Sequence, residues 1–315
     1  MAFASAQAQN LYSYNFDNPT ASLPTDGWVR TNQSTSASTT LWTVASYAAV
    51  TVSATVQALP FQNQAYTTGQ TCPPPNGQDA TPNKFALVNF TSTSSTAATG
   101  ATISNWLISP IVTVDNGDVI SFYTRLGKFS ATGTASFPDN LQLRMSTNGA
   151  FTTDPAGGPT NVGDYTEVLV DVNPALDLTS YPTSWEQFTY IVTGLTGPTD
   201  VKLAFRYFVT DGGSNGNNSD IIGLDTFSVD RPLSTDSFFK GNFAATPNPA
   251  NDVLNITNHS NIAVNAIQIT DMNGRVVKEV KGMTSQINVS ELNAGVYFLK
   301  VSTDQGTGTT KIIKK

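Results

Sequence analysis

No window of the 315-residue chain sustains an apolar stripe at i, i+3, i+4, i+7, and 23 Gly with 17 Pro interrupt it throughout. That pattern excludes long helices and leaves strands as the only regular element. Short apolar-rich runs recur instead, among them Phe85-Ala86-Leu87-Val88-Asn89-Phe90, Val119-Ile120-Ser121-Phe122-Tyr123, Leu141-Gln142-Leu143-Arg144-Met145 and Thr166-Glu167-Val168-Leu169-Val170. Further runs are Phe188-Thr189-Tyr190-Ile191-Val192, Val201-Lys202-Leu203-Ala204-Phe205-Arg206-Tyr207-Phe208 and Ile221-Ile222-Gly223-Leu224-Asp225. Gln142, Arg144, Lys202 and Arg206 alternate with apolar neighbours, which predicts half-exposed antiparallel strands. Roughly ten such strands with uneven loops over residues 11–230 fit one jelly-roll β-sandwich better than two immunoglobulin-like units.

The residue inventory closes several chemistries. A single His259 and a single Cys72 supply neither a Cys/His zinc site nor a disulfide framework, and a His-dependent triad would rest on His259 alone. A net charge of −7 argues against a nucleic-acid groove. No run of 18 or more apolar residues is present, so no transmembrane helix is expected. Charge is also unevenly divided: residues 1–245 hold 9 Lys/Arg against 18 Asp/Glu, whereas residues 246–315 hold 7 against 5. Two regions of different chemistry are implied.

Residues 246–315 repeat the short-strand pattern in miniature: Val253-Leu254-Asn255-Ile256, Ala266-Ile267-Gln268-Ile269, Arg275-Val276-Val277 and Val296-Tyr297-Phe298-Leu299-Lys300-Val301. Turn residues Asn273-Gly274, Ala294-Gly295 and Gly306-Thr307-Gly308 separate them; the pattern alone stops at a small C-terminal β-sandwich, and an immunoglobulin-like β-sandwich is the expectation. The overall expectation is an all-β chain: residues 1–10 a signal-peptide remnant, 11–230 the jelly roll, 231–245 a linker and 246–315 the small sandwich. The first of these rests on Ala6-Gln7-Ala8, which fits the small-residue cleavage rule although a basic segment and an apolar segment are missing.

Two resemblances sharpen this reading. Pro247-Asn248-Pro249-Ala250-Asn251-Asp252-Val253-Leu254, Ile269-Thr270-Asp271-Met272-Asn273-Gly274-Arg275-Val276-Val277, Leu292-Asn293-Ala294-Gly295-Val296-Tyr297-Phe298-Leu299-Lys300-Val301 and the closing Lys311-Ile312-Ile313-Lys314-Lys315 resemble, in order, the C-terminal sorting domain of type IX secretion cargo. The resemblance implies export from a Gram-negative cell through the type IX translocon, with a surface sortase as second partner and a secreted or outer-membrane-surface product. Asn105-Trp106-Leu107-Ile108-Ser109-Pro110, Ile120-Ser121-Phe122-Tyr123-Thr124-Arg125, Asp139-Asn140-Leu141-Gln142-Leu143-Arg144-Met145-Ser146-Thr147-Asn148-Gly149 and Ile222-Gly223-Leu224-Asp225-Thr226-Phe227-Ser228-Val229 resemble the cleaved-adhesin, or choice-of-anchor J, domain. So do Tyr14-Asn15-Phe16-Asp17 and Leu23-Pro24-Thr25-Asp26-Gly27-Trp28. That family implies a non-catalytic jelly roll that often carries structural calcium.

Calcium takes six to eight hard oxygens. The resemblance places its site where the first and last strands run side by side, which names Asp17, Asn18 and Asp225 as ligands, with Thr226 standing where the family often has a second acid. The plainer alternative is that Asp17 and Asp225 bond turn amides. The loop Asp211-Gly212-Gly213-Ser214-Asn215-Gly216-Asn217-Asn218-Ser219-Asp220 lacks the order of a calcium-binding loop and reads as a hairpin tip.

Of the four tryptophans, Trp28 and Trp106 read as core, while Trp42 and Trp185 have no assignable face. The Ser/Thr/Ala-rich insertion at 33–102, with Cys72-Pro73-Pro74-Pro75, is a surface segment where ligand specificity could reside. The resulting expectation is a secreted, non-catalytic adhesin-like protein binding an extracellular protein or glycan. The alternatives are a carbohydrate-binding module and, more remotely, a glycoside hydrolase built on Glu167 or Glu186.

Overall fold

A computed structural model describes residues 9–97, 99–128, 137–146, 148, 153–232, 235–259, 261–303 and 306–315. The cleavage-like Ala6-Gln7-Ala8, and Thr147 and Gly149 of the adhesin-like pattern, lie outside them. The fold divides into two compact units, Asn10–Arg231 and Pro232–Lys315. Among the described residues no helix is long and apolar enough to cross a membrane.

The first unit carries β1 (Gln9–Tyr14), α1 (Ser22–Thr25), β2 (Val29–Asn32), β3 (Thr43–Val44), β4 (Val50–Thr51), β5 (Thr71–Cys72), β6 (Ala86–Asn89) and β7 (Ala101–Val114). It continues with β8 (Val119–Gly127), β9 (Leu141–Ser146), β10 (Glu167–Val172), β11 (Glu186–Ile191), β12 (Thr199–Gly212) and β13 (Ile221–Arg231). One sheet runs β11-β8-β13-β6-β3 with β1 on β13, and the other runs β10-β9-β12-β7-β2. From β6 onward successive strands alternate between sheets except for the β9–β10 pair, so that β13 lies between β6 and β8 while β12 lies between β7 and β9. This is the strand order of a jelly roll, eight strands from β6 to β13 divided four and four, with β1 and β3 extending one sheet and β2 the other. The inner faces close on one core: Phe122 from the first sheet meets Phe205 from the second edge-on at 5.1 Å, and Phe205 meets Phe227 at 5.3 Å.

Arg144 and Lys202 are partly exposed as expected of half-exposed strands, but elsewhere the outer faces depart from that expectation. Arg206 is only 3% exposed and Gln142 is buried. The segment around 153–165 folds over the second sheet, its Pro159 carbonyl accepting from Arg206 and its Tyr165 carbonyl from Arg144 at 2.9 Å. Trp106 stacks obliquely on Tyr165 beneath this cover, with the Arg206 guanidinium 5.0 Å above its ring. Polar side chains alternating with apolar ones therefore mark an outer face here, but not an exposed one.

The first sheet is covered in the same way by the insertion. Phe61 and Phe85 meet edge-on at 5.1 Å, Phe85 and Trp185 at 5.4 Å, and these rings with Ala45, Leu87 and Ile221 form a separate small core on the sheet's outer side. Gly223 permits this closeness, because a Cβ there would lie 2.8 Å from the Trp185 ring. Cys72 is buried inside the insertion, its sulfur accepting from the Leu59 amide at 3.4 Å.

In the second unit α2 (Thr235–Asn242) is followed by β14 (Phe243–Thr246), β15 (Val253–Asn258), β16 (Val264–Thr270), β17 (Val276–Lys281), β18 (Gln286–Asn288), β19 (Gly295–Thr303) and β20 (Thr307–Lys314). The three strands β14-β15-β18 and the four strands β17-β16-β19-β20 form two sheets around Leu254, Ile267, Ile269, Leu299, Val301 and Ile312. The closing basic segment is the last strand, with Ile312 in the core and Lys311 exposed.

The expected linker at 231–245 is corrected: it holds the end of β13, the helix α2 and most of β14. Phe239 of α2 is buried in this core. A Cβ on Gly308 would sit 2.9 Å from the Phe239 Cα and 3.0 Å from its amide nitrogen, so the helix docks where only glycine fits. Gly308→Ala is expected to destabilise this unit by about 1–3 kcal/mol, read as a lower urea midpoint for the full chain.

Candidate functional site

The residues predicted to hold calcium sit around the junction of the first and last strands of the jelly roll. β1 pairs with β13, as a site there requires. A bulge displaces β13 between Asp225 and Ser228 in its pairing with β8, and Thr226 takes a left-handed φ of 48°. The bulge turns Asp225 inward, leaving it 2% exposed. Its Oδ2 accepts from the Gln78 amide at 2.6 Å and its Oδ1 from the Thr226 amide at 2.7 Å. Burial is the main cause that lifts its carboxyl from 3.8 to about 7; the two amides pull it down and the charge of Asp79 pushes it up.

Gly77 forms the floor beside this carboxylate, since a Cβ there would lie 2.0 Å from the Lys84 carbonyl oxygen and 2.9 Å from Asp225 Oδ2. The Lys84 ammonium in turn donates to the carbonyl of Asp17. Lys84 thus bonds the Asp17 carbonyl with its ammonium, while its own carbonyl lies against Gly77 beside Asp225. The Asp17 carboxylate accepts from Asn15 Nδ2, and Asn18 is exposed. Among the described residues no three Asp, Glu, His or Cys side chains converge as a metal cluster. Both Asp225 oxygens accept backbone amides, the plainer arrangement weighed above, and the side chains of Asp17 and Asn18 make no contact with it. Gly77, Gln78, Asp79 and Lys84 were not foreseen, because they come from the insertion and approach Asp225 only in the folded sheet.

The aromatic residues are distributed differently from a sugar platform. Trp28, Trp42 and Trp106 are buried, and only Trp185 is partly exposed, its indole donating to the Asn76 carbonyl at 3.2 Å. Glu167 and Glu186 are both exposed and lie on the edge strands of opposite sheets. His259 belongs to the second unit, where its amide donates to the Asn242 carbonyl at 2.9 Å. The 211–220 loop folds on itself, with Asn217 Nδ2 donating to Asp211 Oδ2 at 2.7 Å and the Gly213 amide to Ser219 Oγ at 2.8 Å.

A pocket lies beside the insertion. It is open, has a volume of ≈ 500 Å³, and is walled by Phe61, Gln62, Asn63, Gln64, Tyr66 and Arg125 among others. Arg125 projects from β8 on the sheet's outer side and is 5% exposed. Its guanidinium lies 5.8 Å from the Phe61 ring centre and 5.9 Å from that of Trp185. One terminal nitrogen donates to Asn63 Oδ1 at 2.9 Å and the Thr183 carbonyl at 2.8 Å, while the buried Nε has no hydrogen-bond partner. Burial lowers its pKa from 12.5 to about 10. In the sequence this residue was only the end of an alternating apolar run. No local pattern announces a buried cation whose cover comes from 60 residues earlier.

Comparison with known proteins identifies the second unit. Residues 245–315 match the family model described as secretion system C-terminal sorting domain. This sorting domain marks the chain for type IX export to the cell surface or beyond. No curated protein matches the chain. Among solved structures the chain is similar to the K1 cleaved adhesin domain of Lys-gingipain from Porphyromonas gingivalis W83, at 16% identity and TM-score 0.38, covering 70% of this chain and 98% of that one. The K3 cleaved adhesin domain of the same protein is similar at 14% identity and TM-score 0.36, covering 70% and 99%. The adhesin domain of Epf from Streptococcus pyogenes is similar at 8% identity and TM-score 0.26, covering 73% and 76%.

Proposed function

We propose that the chain is an exported attachment protein: its sorting domain engages the type IX translocon and a surface sortase, and its jelly roll binds an extracellular ligand without catalysis. The observation that carries this reading is the open pocket that the insertion builds around Arg125 on a rigid sheet. Binding loops mounted on a stable scaffold are the usual arrangement for recognition. The two glutamates available for glycoside hydrolysis lie on separate edge strands, which supports a binding role over a hydrolytic one. The carbohydrate-binding alternative narrows to the surroundings of Trp185, since the other three indoles are buried.

Calcium belongs to the same proposal as a structural ion, held by Asp225 with Asp17 and Asn18, and with the Lys84 carbonyl as neighbour. It would neutralise the buried carboxylate and tie the first strand to the last.

Glycan and extracellular-protein arrays probed with the full chain test the attachment reading. Saturable binding is expected, weakened at least tenfold by Ala65→Trp, which fills the pocket from its rim. No saturable ligand on either array sinks the reading. Polysaccharide turnover abolished by Glu186→Gln would replace it with a hydrolase.

A further inference from the structure

A buried guanidinium is costly to keep unless an anion or a full set of hydrogen bonds compensates it. Arg125 has an incomplete set. Its Nε is buried and unpartnered, its two hydrogen bonds go to neutral oxygens, and no Asp or Glu among the described residues forms an ion pair with it. The rings of Phe61 and Trp185 flank the cation and offset part of its desolvation, but they bring no negative charge. The site is electrostatically unfinished, and it opens into a pocket of ≈ 500 Å³.

The pocket wall indicates what completes it. The lining residues include Arg125 and no Asp or Glu, on a chain whose net charge is −7. Gln62, Asn63 and Gln64 present side-chain amides and Tyr66 a hydroxyl, which together both donate and accept hydrogen bonds. Gln62 Nε2 is engaged with the Pro73 carbonyl, Gln64 Nε2 with the Tyr66 hydroxyl and Asn63 Oδ1 with Arg125, and a ligand dense in hydroxyl groups uses the donors and acceptors that remain. With Nε buried and one terminal nitrogen already donating to Asn63 and Thr183, the other terminal nitrogen is the one that can give a charge-assisted hydrogen bond to a carboxylate in the pocket. Resting on the attachment reading above, we propose that this pocket binds an acidic saccharide, with the sugar's carboxylate on Arg125 and its hydroxyls on the amide wall.

The probe is polygalacturonate measured by titration calorimetry with the full chain, beside its fully methyl-esterified form, a sulfated polysaccharide, a neutral glucan, and a peptide with a free or an amidated C-terminus. Saturable binding of polygalacturonate is expected, at least tenfold weaker after esterification, which removes the charge and keeps the hydroxyls. Arg125→Gln is expected to abolish it, and Arg125→Lys to weaken it at least tenfold, because an ammonium keeps the charge but cannot bond Asn63 and Thr183 with one nitrogen while offering a second nitrogen to the ligand. Where Arg125→Gln fails to fold, the ester comparison on the unaltered chain decides alone.

The proposal is overturned by equal affinity for acid and ester, by binding only of the sulfated polymer, by binding only of the free peptide C-terminus, or by a folded Arg125→Gln chain that binds as before. Arrays that show a neutral-glycan or protein ligand sensitive to Ala65→Trp, together with no carboxylate preference, would leave the attachment reading standing while this inference falls.

Discussion

Calcium added at pH 8 is expected to raise the unfolding midpoint of the first unit by about 5–10 °C, and the same addition at pH 5 to change it little. An ion at about 100 times its Kd stabilises by about 2.7 kcal/mol, and 1 kcal/mol moves the midpoint of a domain of this size by about 2–4 °C. The pH dependence follows from Asp225. Its carboxyl titrates at about 7 in the folded chain against an ordinary 3.8, so the folded state holds a proton the unfolded state has released between those values. Without the ion, stability therefore falls as pH rises from about 4 to 7 and stays low above, by a sum on the order of 4 kcal/mol for a shift of this size.

Asp139, fully buried beneath Tyr207 and raised to about 7 chiefly by burial, acts in the same direction in the same window. The carboxylates lowered by backbone amides, Asp164, Asp177 and Asp271, work oppositely, but they lose their contribution only as pH falls below about 4. Calcium requires the ionised form of Asp225, so its effect grows as pH passes 7. Asp225→Asn provides a crossing signature at pH 8: more stable than the parent without calcium, and less stable with it. A parent midpoint indifferent to calcium at pH 8 would remove the ion from this site.

Trp28→Ala is expected to cost about 3–5 kcal/mol, enough to unfold much of the first unit at ambient temperature. Trp28 is 1% exposed and touches four other rings: Tyr14 and Phe16 at 5.4 Å, Phe227 at 5.9 Å and Tyr12 at 6.3 Å. Those rings come from the first strand, its continuation and the last strand, so the indole joins both ends of the jelly roll. Its position is set locally. α1 ends with the Asp26 amide donating to the Ser22 carbonyl at 2.8 Å, Gly27 takes a φ of 88°, and the Trp28 amide returns to the Leu23 carbonyl at 2.8 Å. Trp185→Ala, by contrast, removes a half-exposed ring at the pocket margin and should cost about 1–2 kcal/mol. Urea unfolding followed by far-UV circular dichroism separates the two; equal losses would mean the hub is not where the structure puts it.

The all-β class was legible because period-2 alternation and dense Gly and Pro are local properties that need no partner to interpret. The sorting domain was legible for a different reason: its strands and turns are close together in sequence, from Val253 to Lys314, so a short segment carries the whole pattern. Trp28 and Trp106 were assigned inward correctly from their neighbours alone.

Alternation determined which residues share a face, but it could not determine what lies on that face. Arg206 and Gln142 alternate as exposed residues do, and the 153–165 segment buries them. Arg125 does the same, and the insertion wraps it between Phe61 and Trp185. Likewise the sequence named Asp17 and Asp225 as neighbours of one strand pair, while only the fold brought Gly77, Gln78 and Lys84 to them. Strand pattern is written in nearest neighbours along the chain. Burial of an outer face is decided by segments tens of residues away, whose docking depends on the completed sheet beneath them.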